Sequence, residues 1–347
     1  MTDAYLNRIA TAVPPHEVHE LFKRYALSLF GDDRNSALLF RRAAGRCGIE
    51  RRYSCIHPDE LKQDGGLYAP GAFADTAARM RVFERYAPAL ACQAVERLLA
   101  DERAGITHLV TTCCTGFAAP GFDFEVLERC GLRRGIERTS IGFMGCQAAM
   151  NALKIARHIV RSEANARVLV LNLELCTLHL QNTADLERVL SFLIFGDGCA
   201  AGLVSADPHG LSLDGFRTLT LPESRELITW KVRNSGFEMV LSGEVPNAIR
   251  AGLQAHADDI LNGDGIDLWA VHPGGRSVLD AVERGLGLAG TALARSRDIL
   301  RRYGNMSSAT VMFVLHQLMR ERLHGETGCA MSFGPGLSAE IMAFRAA

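Results

Sequence analysis

The chain has 347 residues, of which 48% are hydrophobic and 22% are charged. This composition supports a large buried core and excludes an intrinsically disordered or fibrous protein. Lysine and arginine (38) nearly balance aspartate and glutamate (39), so the net charge of −1 offers no basic surface for a nucleic-acid partner.

Predicted helices and strands alternate along the chain. In the first part, helices are predicted at 17–30, 34–46, 89–102 and directly behind Cys146, and strands at 106–116, 168–176 and 195–207. Beyond a turn at 208–210, strands are predicted at 269–272 and 329–336 and helices at 277–286 and 308–323. Such alternation predicts an α/β fold with mixed, mostly parallel sheets. The similar order of elements on both sides of the turn suggests two topologically similar halves, 1–207 and 208–347.

Several sequence features argue against metal and dinucleotide sites and against export. The ten cysteines include no C-x-x-C pair, and HEVHE (16–20) is one residue short of the H-E-x-x-H zinc motif. GLGLAG (285–290) follows a predicted helix, whereas a dinucleotide-binding glycine motif follows a strand. No apolar stretch reaches the ~18 residues needed to span a bilayer, and no signal peptide is recognisable. We therefore expect a cytoplasmic protein with reduced thiols and neither a metal nor a membrane span.

Cys146 stands out because it directly precedes an amphipathic helix. Ala149, Leu153, Ala156 and Val160 share one face of that helix. Unpaired N–H groups and the dipole at a helix N-terminus favour a thiolate, which would lower the pKa of Cys146 and make it nucleophilic. The alternative is a small buried apolar residue.

A cysteine nucleophile usually needs a histidine to carry charge and protons. His272 ends a short apolar strand and precedes Pro-Gly-Gly, a turn that would expose its ring at the strand's carboxyl end, where α/β proteins collect their active sites. Asn305 lies at a loop-to-helix junction in YGNMSSAT (303–310), where its ordinary role would be a helix cap or a turn residue.

Five ordered motifs give the chain a recognisable pattern: GCQAA (145–149), FGDG (195–198), AVHPGG (270–275), YGNMSSA (303–309) and FGPG (333–336). In this order they resemble those of type III polyketide synthases, the chalcone-synthase-like family, from about residue 5 to the end. The resemblance implies a thiolase-like fold with an αβαβα layer arrangement, a homodimer, and no metal or organic cofactor. It also implies acyl-CoA and malonyl-CoA as substrates, which the family condenses into a pyrone or resorcinol-type product.

The resemblance further implies roles for individual residues. Cys146 would hold the growing chain, while His272 and Asn305 would donate hydrogen bonds to the thioester oxygen as malonyl-CoA loses carbon dioxide. A neutral amide suits that task, because a carboxylate would repel the developing negative charge. Phe195 matches a gatekeeper between the coenzyme tunnel and the cavity, with a core phenylalanine as the alternative. The basic positions that bind coenzyme A phosphates in the family fall on Arg42 and Arg46, for which a solvated helix face is the alternative.

Further cavity positions also follow from the resemblance: Cys114, Thr115, Ala118, Cys176, Trp230, Met239 and Ser307. Met239 stands where the plant enzymes have a second gatekeeping phenylalanine, and Trp230 where they have a cavity-shaping glycine. Trp230 should therefore narrow the elongation cavity. Ala118 and Cys176 are small at positions that line an acyl tunnel in bacterial members, which favours medium or long acyl-CoA starters; ordinary small-residue packing is the alternative.

Two rival functions share part of this pattern. A β-ketoacyl-acyl-carrier-protein synthase III has the same fold and the Cys-His-Asn set, but usually shows His-Gln-Ala-Asn where this chain has HPGG (272–275). A non-enzymatic thiol-rich binding or redox-sensing protein would explain the ten cysteines but not the ordered histidine and asparagine motifs.

Overall fold

The computed structural model describes residues 2–61, 66–69, 72–100, 103–261 and 265–347. Its α-helices are α1 His19–Leu29, α2 Arg34–Arg46, α3 Thr76–Leu99, α4 Phe122–Arg129, α5 Ala148–Ser162, α6 Leu186–Ile194, α7 Val245–Ala255, α8 Ala257–Leu261, α9 Arg276–Leu286, α10 Ala294–Tyr303 and α11 Ala309–Leu318. Its strands are β1 Tyr5–Ala12, β2 His16–Glu17, β3 Tyr53–Ser54, β4 Tyr68–Ala69, β5 Ala72–Phe73, β6 His108–Cys113, β7 Glu137–Gly142, β8 Val168–Leu175, β9 Asp197–Ser205, β10 Leu211–Thr220, β11 Ile228–Arg233, β12 Gly236–Leu241, β13 Leu268–Val271, β14 Thr327–Gly334 and β15 Ser338–Ala346. Short 3₁₀-helices lie at Pro58–Leu61, Arg103–Gly105, Gly145–Gln147 and Cys176–His179.

The long strands form a nine-stranded mixed sheet in the order β13-β14-β15-β10-β1-β9-β8-β6-β7. The order β1-β9-β8-β6 is repeated by β10-β15-β14-β13, with antiparallel, antiparallel and parallel pairing in both sets. Strands β1 and β10 join the two sets through only two residue pairs, Tyr5 with Ser212 and Leu6 with Leu211. The α/β prediction with a mixed sheet is confirmed, whereas the division into 1–207 and 208–347 stays a prediction.

Helices α5 and α11 lie between the two sets of strands and form a central layer. Their buried residues, such as Leu153 and Val311, share one apolar cluster with Val170 of the first set and Met342 of the second. Helices α3 and α4 cover the outer face of the first set, and α7 and α9 cover the outer face of the second. This is the αβαβα arrangement of the thiolase-like fold, as predicted.

The predicted helices and strands are all present with the predicted type. Several of them begin or end at residues other than those predicted. Helix α2 begins where it was predicted, because Asp33 accepts hydrogen bonds from the backbone N–H groups of Asn35 and Ser36 at 3.1 and 3.0 Å. The helix predicted at 89–102 is the second part of the longer α3, and residues 101–102 lie outside the described residues. Among the residues that the structure describes, every helix is too short or too polar to cross a bilayer.

Candidate active site

An apolar cavity of about 50 Å³ lies where the end of β13 meets the turns before α5 and α11. Most of the cavity residues singled out in the sequence line it: Cys114, Thr115, Cys146, Cys176, Phe195, Trp230, Met239, His272 and Ser307. Residues from seven separate parts of the chain therefore meet at one place. Such convergence of a thiol and an imidazole in a cavity marks a candidate active site.

The turn before α5 presents Cys146 to this cavity. Cys146 lies in the 3₁₀-helix Gly145–Gln147, directly before Ala148, the first residue of α5. Gly145 has a φ of +64°, and a Cβ at this position would come within 2.2 Å of the Pro335 ring. Only glycine therefore fits before the cysteine, where the FGPG turn packs against it.

His272 follows β13, and its backbone N–H donates to the carbonyl oxygen of Met331 at 2.7 Å. The residue is buried, and neither ring nitrogen has a hydrogen-bond partner among the described residues. Unpaired buried polar atoms are costly, so they mark groups that are kept for a ligand or a reaction. Both nitrogens are thus available to a substrate in the cavity.

Asn305 joins the same site from the turn before α11. Its backbone forms hydrogen bonds with the residues on both sides of Phe195: Asn305 N–H donates to Ile194 O at 2.8 Å, and Gly196 N–H donates to Asn305 O at 2.9 Å. The Cys146 sulfur lies 3.9 Å from Asn305 Oδ1, which also accepts from Ser307 N–H at 2.8 Å. The asparagine therefore fills the predicted turn role and contacts the candidate nucleophile as well.

Trp230 and Met239 face each other across the β11–β12 hairpin. The Trp230 Nε1–H donates to Cys114 O at 2.6 Å, and its ring packs perpendicular to the rings of His179 and Phe237 at centroid distances of 5.4 and 5.9 Å. These contacts hold the indole in the cavity wall and explain why the cavity is small.

An open groove of about 920 Å³ adjoins the cavity. The groove and the cavity share Leu241, Val245, Gly274 and Val278, so a ligand in the groove can reach the cavity. Two arginines line the groove, Arg46 at the end of α2 and Arg276 at the start of α9. This is the side from which a long phosphate-bearing ligand would approach.

The chain matches the N-terminal domain of chalcone and stilbene synthases over residues 3–208 and their C-terminal domain over residues 215–347. The chain belongs to the chalcone and stilbene synthase family. It is thus a type III polyketide synthase, an acyl-CoA-using enzyme, and the rival readings as an acyl-carrier-protein synthase or a non-enzymatic thiol protein are set aside.

Individual relatives of this type III polyketide synthase agree with the family match. It is 31% identical to "Alpha-pyrone synthesis polyketide synthase-like Pks18" of Mycobacterium tuberculosis, over 99% of this chain and 91% of the relative. It is 33% identical to bisdemethoxycurcumin synthase of Oryza sativa subsp. japonica, over 97% and 91% of the two chains. The crystal structure of PKS-I from the brown alga Ectocarpus siliculosus matches with a TM-score of 0.89 at 27% identity, covering 100% of this chain and 99% of that one.

The protonation of Cys146 differs from the sequence-based expectation. Burial raises the pKa of the Cys146 thiol to about 11, although hydrogen bonds with Ser307 and Asn305 act in the opposite direction. Burial also lowers the pKa of His272 to about 3. The expectation of a lowered thiol pKa was wrong, because loss of solvent around the sulfur outweighs the N-terminal end of α5. Near pH 7 both shifts favour the neutral form, the thiol for Cys146 and the uncharged imidazole for His272.

Two residues assigned by resemblance lie away from the cavity. Ala118 is exposed in the loop after β6, and Arg42 is exposed on α2; neither lines the cavity or the groove. Both assignments rest on the local sequence alignment alone. An error of one residue in that alignment moves the assigned role to a side chain that points in another direction. Cys176 does line the cavity, on the side of the β8 end.

Glu174 is a site residue that the sequence interpretation missed. It is fully buried and accepts hydrogen bonds from Cys114 N–H, Thr115 Oγ1 and Ser308 Oγ at 3.0, 2.8 and 2.6 Å. Burial raises the pKa of the Glu174 carboxyl to about 7, against the effect of these donors. A signal was present in the sequence, since Glu174 is the one ionisable carboxyl in the mostly apolar strand VLVLNLELC (168–176). It positions Cys114 and Thr115 in the cavity wall.

Proposed function

We propose that Cys146, His272 and Asn305 catalyse acyl transfer and decarboxylative condensation in this polyketide synthase. The observation that carries the proposal is that the Cys146 thiol and the His272 ring, which has no hydrogen-bond partner among the described residues, line one apolar cavity beside the groove, and that the Asn305 amide contacts the Cys146 sulfur. Phe195, whose ring lines the same cavity, closes the site on the side of α6.

In the loading step, the Cys146 sulfur attacks the thioester carbon of an acyl-CoA. A new sulfur–carbon bond forms, the bond to the coenzyme sulfur breaks, and the Cys146 proton passes through His272 to the departing coenzyme A thiolate. Because thiolate and imidazolium arise together in the same cavity, each stabilises the charge of the other. The neutral resting pair therefore suits a proton transfer that accompanies the attack.

In the extension step, malonyl-CoA loses carbon dioxide. The electron pair of the broken carbon–carbon bond stays on the remaining coenzyme A thioester, which becomes an enolate. His272 and Asn305 donate hydrogen bonds to the thioester oxygen, where the negative charge develops. The enolate carbon then attacks the carbonyl carbon of the acyl group on Cys146. The bond between that carbon and the sulfur breaks, and Cys146 leaves as a thiolate. The apolar wall around Phe195 favours neutral carbon dioxide over the malonyl carboxylate, since an anion is costly to desolvate.

Arg46 and Arg276 are proposed to bind the phosphates of coenzyme A in the groove. Arg276 is the first residue of α9, so the N–H groups of that helix and the guanidinium face the same anion. Asp280, at the same groove, lies 3.9 Å from Arg276 Nε but is paired more closely with Arg297, at 2.6 Å. Coenzyme A thioesters are then the substrates, and no further cofactor is required.

A pyrone is the product that we propose, because the Mycobacterium relative is named for α-pyrone synthesis and shares nearly the whole chain. An enol oxygen of the extended chain would attack the terminal thioester carbon and release the thiol. The test is incubation with malonyl-CoA and acyl-CoA thioesters without carrier protein, followed by mass spectrometry. A pyrone or resorcinol-type product supports the proposal, whereas absence of any condensation product would overturn it.

We also propose a homodimer formed through β7. This strand lies at the edge of the nine-stranded sheet, and the loops beside it expose Phe117 by 47% and Met144 by 36%. An exposed edge strand beside apolar side chains invites pairing with a second copy. Sedimentation should give a dimer, and Phe117→Glu with Met144→Glu should give a monomer; an unchanged mass in the double variant would refute this interface.

A cytoplasmic location is proposed from the cysteines. In the described part of the chain all ten are thiols and none forms a disulfide, which is typical of a reducing compartment.

A further inference from the structure

Helix α2 turns a face to solvent that carries only arginine, leucine, asparagine and glycine. Its buried residues, Phe40 and Ala44, lie on the opposite face. At 3.6 residues per turn the exposed residues fall within one arc of about 160°: Arg34, Asn35, Leu38, Leu39, Arg41, Arg42, Gly45 and Arg46. No acidic residue lies on this helix, although the net charge of the whole chain is −1. The positive charge of α2 is therefore a local excess.

The arginines of this helix face have no carboxylate partner. Among the described residues, nothing forms an ion pair or a hydrogen bond with the guanidinium groups of Arg34, Arg41 and Arg42. Exposed arginines on other elements do have such partners, for example Arg129 with Glu125 at 2.8 Å. Cations that cluster without a counter-charge attract an anionic partner.

Two leucines lie between these arginines. Leu38 is 45% exposed and Leu39 is 43% exposed. Neither of them lines a cavity or groove of the described chain, so this face offers no pocket to a partner. The partner has to receive the leucines instead. Adjacent large apolar side chains at the surface are typical of a protein-binding or membrane-binding site.

These residues are separate from the proposed coenzyme A site. Arg46, the last residue of α2, lines the groove, whereas Arg34, Arg41 and Arg42 do not. We call the remaining set the α2 face: Arg34, Leu38, Leu39, Arg41 and Arg42. The groove begins at the end of the same helix, so a partner on the α2 face would lie beside the groove.

We propose that the α2 face binds the surface of an anionic phospholipid membrane. The leucines enter the boundary between headgroups and acyl chains, and the arginines bind the lipid phosphates. Arginine suits this place, because its guanidinium group pairs with phosphate while its alkyl stem lies along apolar surface. Binding at a membrane surface needs apolar side chains and positive charge together, and a fluid lipid layer receives the leucines without a preformed pocket.

The test is co-sedimentation of the full chain with lipid vesicles. One set of vesicles contains phosphatidylcholine alone, and the other contains phosphatidylcholine and phosphatidylglycerol at a ratio of about three to one. The wild type should bind the anionic vesicles far more strongly than the neutral ones. This binding should weaken as the salt concentration rises, because salt screens the attraction between arginine and phosphate.

Two double variants separate the charged and the apolar contributions. Arg34→Gln with Arg41→Gln should weaken binding to anionic vesicles by about 25-fold, because each arginine near an anionic surface contributes about fivefold. Leu38→Gln with Leu39→Gln should weaken it by about tenfold or more, because the leucines no longer leave water. All four side chains are exposed, so these changes leave the core intact.

Matched controls change charge and apolar surface elsewhere. Arg129→Gln with Arg345→Gln removes the same two charges, but from exposed arginines that already have carboxylate partners. Val232→Gln removes an apolar side chain that is 53% exposed on β11. Both controls should bind anionic vesicles like the wild type.

Several results would overturn the proposal. These are a wild type that does not bind anionic vesicles, and controls that weaken binding as much as the α2 variants do. Equally strong binding to polyglutamate that is independent of the leucines would indicate an acidic protein partner instead. A raised KM for malonyl-CoA in Arg34→Gln with Arg41→Gln, measured without vesicles, would assign these arginines to the coenzyme A site. Lost vesicle binding with an unchanged KM supports the membrane contact, which does not depend on acyl transfer to Cys146.

Discussion

Replacing Glu174 by glutamine should remove a pH-dependent loss of stability. Burial raises the pKa of this carboxyl from an ordinary 4.5 to about 7. Between these two values the folded protein binds a proton that the unfolded chain has released, so stability falls as the pH rises. The stabilising contribution of the protonated Glu174 carboxyl is fully present below pH 4.5. It is lost as the pH rises to about 7, and the loss is complete above that pH.

The size of this effect follows from the shift. About 2.5 pKa units correspond to about 3 kcal/mol in total, of which roughly 2–3 kcal/mol is lost between pH 5 and pH 8. Glu174→Gln keeps an oxygen that can accept from Cys114 N–H or Thr115 Oγ1 but cannot ionise. The variant should therefore be less sensitive to pH than the wild type by about that amount.

Urea unfolding at pH 5, 6, 7 and 8 measures the difference between the two proteins. Asp197, whose pKa burial raises to about 6, titrates in both proteins and cancels in the comparison. Glu163→Gln is the matched control, because Glu163 is exposed at the end of α5 and should leave the wild-type slope unchanged. If wild type and Glu174→Gln lose equal stability from pH 5 to pH 8, the buried carboxyl does not titrate as argued.

Three further outcomes are expected. His272→Ala and Asn305→Ala should each slow decarboxylation of malonyl-CoA by on the order of 10²–10³-fold, the usual loss for an oxyanion donor; near-normal release of carbon dioxide would exclude that residue. Arg276→Ala should raise KM for malonyl-CoA several-fold and leave kcat nearly unchanged, because a phosphate contact is made equally before and during reaction; an equal fall in kcat would contradict this role. Trp230→Ala should enlarge the catalytic cavity and shift the products toward more extensions, and an unchanged product profile would show that the indole does not limit chain growth.

Much of the fold could be read from the sequence because local patterns specify it. Helix α5 buries Ala149, Leu153, Ala156 and Val160, the face that the spacing predicts. The candidate catalytic residues could be singled out because Cys146 follows a glycine at the start of a helix and His272 ends a strand before Pro-Gly-Gly. The β11–β12 hairpin was not predicted, since its strands are short and half-exposed and show no clean alternation.

Side-chain environment was harder to predict than position. The pKa of Cys146 depends mainly on burial, which distant segments of the chain produce together, whereas the helix end that argued for a thiolate is local. Ala118 shows the same limit, because its exposure depends on where the loop after β6 turns. The cavity of about 350 Å³ between α1, α6 and the end of β8 arises from the packing of separate segments, and no motif in any one of them predicts it.

The central claim is that Cys146 carries the growing chain. The most direct measurement is intact-protein and peptide mass spectrometry after incubation with an acyl-CoA, comparing wild type with Cys146→Ala, together with product analysis after addition of malonyl-CoA. The wild type should gain one acyl group on the peptide that contains Cys146 and release a pyrone, and the alanine variant should do neither while remaining folded. A pyrone from Cys146→Ala, or an acyl group carried by another cysteine in the active wild type, would contradict the claim.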